Sequence, residues 1–76
     1  MRVVPIKDIK LPKGARKVGS KELKRVIDSL TVYGFHHPIL VDKDLVIVKG
    51  IARYKAAKKM RMKEIPVMMI GEDTDE

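Results

Sequence analysis

The sequence predicts a small α/β domain of the α+β kind, a mixed sheet with two helices in the order strand, helix, hairpin, helix, strand. Three observations predict it. Short β-rich runs ("VVPI", "PILV", "LVIV", "EIPVMMI") recur along the chain, two stretches with helical spacing separate them, and Gly, Pro and Asp mark the boundaries.

The opening "VVPIKDIKLP" reads as extended. Val3, Val4, Ile6, Ile9 and Leu11 are offered for apolar contact, and Pro5 bars a central ladder position. A basic loop with two glycines, "PKGARKVGS", leads to the first helix. There Ser20 is the expected cap, Glu22 suits the first turn, and Gly34 is the expected stop. Leu23, Val26, Ile27 and Leu30 follow the i, i+3, i+4, i+7 spacing of one buried face. "PILV" and "LVIV", parted by "DKD", predict a hairpin, with Asp42 and Asp44 supporting the turn. Gly50 opens the second helix, expected to reach about Arg61, and a last strand begins near Ile65. Residues 1–70 make one domain, and the acidic "GEDTDE" of 71–76 is expected to be a disordered tail.

Composition narrows the chemistry. A chain of 76 residues holds one small core, and with no Trp and one Phe that core is aliphatic. No cysteine is present, which excludes thiolate metal sites and cysteine nucleophiles and fits a cytoplasmic setting. No apolar run is long enough to span a bilayer, so no membrane partner is expected. Residues 1–70 hold all 17 basic residues against six acidic ones, a net charge of +11 that favours polyanionic partners or serves as a solubilising surface.

The sharpest feature is "VIVKGIARYKAAKKM", residues 46–60, where a strand turns into a basic helix on one glycine. Helical spacing places Ala56, Ala57 and Met60 within about 60° of Arg53, so Arg53 projects along the core-facing side. Lys55, Lys58, Lys59 and Arg61 take the opposite face, with Ile51 and Tyr54 expected on that outward side. A guanidinium keeps its charge, and burying it unpaired costs on the order of several kcal/mol. Arg53 therefore needs an anion, either a protein carboxylate or a ligand. The same corner supplies first-turn amides without acceptors, and Gly50 lets an oxygen approach them. A plain turn glycine with a structurally paired arginine is the competing reading. His36 and His37, adjacent in an extended stretch, point to opposite sides and make no zinc site.

"GIARYKAAKKM" after "VIVK" and before "KEIPVMMI", together with "SLTVYGFHHPILV" (29–41) and the upstream "ARK" (15–17), resembles the N-terminal domain of the ParB/sulfiredoxin superfamily. The likeness runs from residue 3 to residue 70. It implies a nucleotide or phosphate site with Gly50 as the motif glycine and Arg53 as the phosphate-gripping arginine. Ile51 and Ala52 complete the corner, Lys55 stands where partitioning proteins carry a second basic residue, Arg16 lies in a closing loop, and His37 takes a pocket-lining position. CTP, ATP or ADP, with Mg²⁺, are the implied ligands. Ile51 stands where sulfiredoxins have their catalytic cysteine, which excludes that activity. Partitioning proteins have Glu and Arg where this chain has Ile51 and Ala52. The sequence as given stops short of helix-turn-helix and dimerisation regions, so operator reading by a recognition helix is not expected of this stretch.

Three functions compete: a nucleotide- or phosphate-binding module, regulatory in character; a DNA-binding accessory protein, nuclease-like or partition-related, working through Lys55, Lys58, Lys59 and Arg61; and a small-molecule kinase or nucleotide hydrolase, for which no catalytic residue is placed. The first is preferred. Homodimer formation stays open.

Overall fold

Pro5 confines the first strand to an edge. In the computed structural model, which describes residues 2–70, β1 (Arg2–Pro5) pairs only with β4 (Glu64–Met69), antiparallel, with Val3 opposite Pro66 and Pro5 opposite Glu64. The tail expected at 71–76 lies outside the described residues. A single 3₁₀ turn, Ile6–Asp8, bends the chain away from β1. The loop from Ile9 to Gly19 then delivers α1 (Ser20–Tyr33). Next come β2 (Ile39–Val41), β3 (Ile47–Lys49), α2 (Ile51–Lys59) and β4. The sheet order is β1-β4-β2-β3, with β2 and β4 parallel at its centre and both outer pairs antiparallel. This is the mixed sheet with two helices that the sequence predicts.

The period-2 pattern explains which sheet face is buried. Ile39 and Val41 of β2, Ile65 and Val67 of β4 and Ile47 of β3 are buried and share one cluster with Tyr54 and Ala57 of α2. Leu40 and Met68, opposite each other in register, belong to the other face, where Met68 is exposed. Helix α2 packs on β2, and α1 packs on α2.

Several expectations are corrected. Ser20 is the first helical residue rather than the cap; Gly19 occupies the cap position, and no side chain there bonds to the helix. Gly34 does end α1, at φ +72°, a region open to glycine. Helix α2 stops at Lys59, because Arg61 has turned left-handed (φ +60°). In the opening segment only Ile9 is buried, while Val3 and Leu11 stay exposed: β1 is an edge strand, and the 3₁₀ turn re-aims the residues after it.

The largest correction concerns Tyr54 and Ile51. Tyr54 lies in the core, not on the outward face, and Ile51 is half-buried against that core. A one-sided helix would bury a narrow stripe. Helix α2 is wedged between the sheet and α1, so its covered arc runs from Ala56 through Ala57 to Tyr54, about 160° at 100° per residue.

The hairpin is held by Asp42. Its Oδ1 accepts from the amides of Asp44 (2.8 Å) and Val46 (3.0 Å), the local bonding that suits Asp to tight bends. A register irregularity after Leu40 pairs Leu40 with Lys49 and Val41 with Ile47. That pairing brings the end of β3, and hence Gly50, beside Ile39.

Candidate anion site

Helix α2 begins without a side-chain cap. Its N-cap is Gly50, left-handed at φ +110° and ψ +26°, and the first helical hydrogen bond runs from the Tyr54 amide to the Gly50 carbonyl at 2.9 Å. The amides of Ile51, Ala52 and Arg53 come before that bond and have no acceptor within the helix. The aligned peptide dipoles add roughly half a positive charge at this end. Glycine is required here for two reasons. A side chain is strained at this φ, and a Cβ would lie 3.2 and 3.3 Å from the Ile39 branches and 3.3 Å from Nη2 of Arg53.

Arg53 is half-buried, as its place on the wheel requires. Its Nη1 donates to the backbone carbonyl of His37 at 3.2 Å, which ties α2 to the segment entering β2. Among the described residues it has no carboxylate partner, so its charge is met only by a carbonyl dipole. Of the two partners the sequence allowed, a protein carboxylate or a ligand, the described fold supplies no carboxylate.

A recess of about 340 Å³ opens over the corner, lined by Arg16, Val48, Lys49, Gly50, Ile51, Ala52 and Arg53. Three cations and no acidic side chain border it, a field that favours an anion. Two further recesses share Arg53 and His37. One of about 530 Å³ is bounded by Arg25, Val26, Ser29, Leu30 and Gly34 of the α1 end and by His36. The other, about 430 Å³, includes Pro38, Leu40, Lys49 and Met68. His36 and His37 both border the larger recess, at a bend in the chain.

Arg16 reaches the corner from the 9–19 loop while held by Glu22 in the first turn of α1. Nη1 donates to Oε1 at 3.1 Å and Nη2 to Oε2 at 2.7 Å. The Arg16 hydrogen bonds, followed by the favourable charge interaction, hold the Glu22 carboxyl below its ordinary range, and Glu22 in turn raises Arg16. Because the folded-state value is lowered, the pair is complete above the ordinary carboxylate range and is lost as pH falls through the lowered value.

Gly50, Ile51, Ala52, Arg53 and Arg16 thus come together, with His37 joined to them through Arg53. Lys55, half-buried on α2, borders none of the three recesses. Lys58, Lys59 and Arg61 are exposed beyond it, with Lys58 Nζ 5.8 Å from the centre of the Tyr54 ring. Sequence reasoning missed Val48 and Lys49, whose direction depends on the bulge in the hairpin. It also missed Glu22 as the partner of Arg16, and Arg25 and Ser29 at the larger recess. Ser29 was visible as the first residue of the "SLTVYGFHHPILV" stretch.

No family model matches the chain. Among curated proteins it is 29% identical over 62 residues to the ParB-like nuclease domain-containing protein YnaK of Escherichia coli K12, covering 82% of this chain and 71% of that one. It is 36% identical over 55 residues to the probable chromosome-partitioning protein ParB of Rickettsia typhi, covering 72% of this chain but 19% of that protein. Among solved structures, C-terminally truncated ParB from Caulobacter crescentus complexed with CTP-γ-S superposes with a TM-score of 0.78 at 28% identity, over 90% of this chain and 42% of that one. Sulfiredoxin from Arabidopsis thaliana gives 0.77 at 25% identity, over 91% and 84%. The chain is a ParB N-terminal-like domain with the ParB/sulfiredoxin fold. A free serine kinase in complex with AMP matches this ParB N-terminal-like domain with a TM-score of 0.78 at 26% identity, over 97% of the chain and 32% of the kinase. The domain therefore spans less than half of the partitioning protein and of the kinase it matches.

Gly50→Ala places a Cβ against Ile39 in a strained conformation. Urea unfolding of this variant is expected to show a loss of about 1–2 kcal/mol. An unchanged midpoint would show that the left-handed turn is not required.

Proposed function

We propose that this ParB N-terminal-like domain binds the phosphates of a nucleotide at the Gly50–Arg53 corner. The observation that carries the reading is the coincidence of three first-turn amides with a half-buried guanidinium that has no carboxylate partner among the described residues, in a recess bordered only by cations and apolar groups. Backbone N–H groups and a forked guanidinium together match phosphate oxygens. The relatives support it: one structural neighbour is a ParB complexed with CTP-γ-S and another a serine kinase complexed with AMP.

Arg53 borders the corner and both neighbouring recesses, so a nucleotide with its phosphates on the corner has two directions for its sugar and base: toward Arg25, Ser29 and His36, or toward Pro38, Leu40 and Met68. No carboxylate borders the corner, and a Mg²⁺ ion there would be carried on the phosphate oxygens. In a thermal-shift screen, CTP, ATP or ADP at about 100 times its Kd is expected to add about 2.7 kcal/mol, a rise in Tm of about 10–20 °C for a domain of this size. Arg53→Ala is expected to remove it. Absence of a shift with every nucleotide, with or without Mg²⁺, contradicts the proposal, as does a full shift in Arg53→Ala.

A second reading, binding to duplex DNA without sequence preference, is favoured by the exposed Lys58, Lys59 and Arg61 at the end of α2. It predicts affinity that falls steeply with salt, by about 0.9 log units per decade for each phosphate contact, and a shallower slope in Lys58→Ala/Lys59→Ala. Binding independent of salt would remove it.

A further inference from the structure

Resting on the phosphate reading of the corner, we infer that Glu22 is a positioning residue of the anion site, holding Arg16 over the start of α2. The loop bearing Arg16 has two firm ends. Lys10 donates to the Leu45 carbonyl and accepts from the Ile47 amide, each at 2.9 Å, and the Gly19 carbonyl accepts from Leu23 at 2.9 Å. Between them, the one backbone hydrogen bond among the described residues runs from Ala15 to Pro12 and stays within the loop. The bidentate contact from Arg16 to Glu22 is the only hydrogen-bonded or ionic link from the middle of the loop to the rest of the described fold.

The geometry also decides between two roles for Glu22. A carboxylate beside a phosphate site can compete for the arginine or can aim it. Arg16 borders the recess while bonded to Glu22, so the ion pair and the recess coexist. A guanidinium has five N–H groups; Glu22 takes two and leaves three for a ligand. Glu22 is anchored on the rigid first turn of α1, whereas a free arginine side chain gives up its rotamer freedom when a ligand immobilises it. Fixing it before the ligand arrives lowers the cost of binding.

The test is a double-mutant cycle on Kd for inorganic triphosphate, measured by calorimetry at low salt, with Glu22→Gln, Arg16→Ala and the double variant. Glu22→Gln is expected to weaken binding about two- to fivefold, the range of an exposed pair, and to have no further effect once Arg16 is alanine. Unchanged or tighter binding in Glu22→Gln overturns the inference. So does an equal loss with and without Arg16, because Glu22 would then act on the fold alone. Arg53→Ala separates the two levels. If it abolishes binding while Glu22→Gln does nothing, the phosphate site stands and the positioning role fails. If the unaltered domain binds no triphosphate, both fail. Glu22 is at the surface, and should Glu22→Gln alter the fold, Glu22→Asp reads the same contact by drawing the carboxylate back by one methylene while leaving the Arg16 guanidinium intact for the ligand.

Discussion

The left-handed turn at Gly50 is the constraint on which the rest of this domain depends. It ends β3 and starts α2 within one residue, and it lets the backbone pass against the Ile39 side chain on the central strand β2. With glycine at the cap there is no capping side chain, which leaves three first-turn amides without an acceptor in the helix. The same turn fixes the direction in which Arg53 leaves α2. The guanidinium is brought over the entry to β2, where it meets the His37 carbonyl instead of a carboxylate. Strand pairing, helix start and charge placement are thus one feature seen at three levels.

The half-buried Arg53 guanidinium has a carbonyl dipole as its hydrogen-bond partner and no counter-charge among the described residues. Lys49 and Arg16 beside it increase the repulsion. Of the three cations, only Arg16 has a carboxylate among the described residues, on the exposed α1 side of the pair. An anion bound at the corner would offset this repulsion. Ile39, Val41, Ile47, Ile65 and Val67 supply the largest buried side chains of the aliphatic core.

The order of elements was legible because two periodicities alternate cleanly and the breaks fall on Gly, Pro and Asp. The corner was legible for the same reason: one glycine separates "VIVK" from "IARYKAAKK", and only Arg53 among the basic residues falls near the small apolar stripe. What escaped the sequence depends on neighbours that no local pattern encodes. Tyr54 is buried because α1 covers a side of α2 that a wheel treats as open. Lys49 faces the recesses because of a register irregularity in the hairpin. Glu22 and Arg16 are six residues apart across a loop and a helix start, a spacing that belongs to neither periodicity.

The central claim is that the amides opening α2 receive an anion, and it is read most directly amide by amide. In a ¹⁵N-labelled sample titrated with CTP or ATP, the resonances of Ile51, Ala52 and Arg53 are expected to shift first and furthest, together with the side-chain N–H signals of Arg53. Saturable shifts confined to other parts of the chain, with these three amides unmoved, would contradict the account.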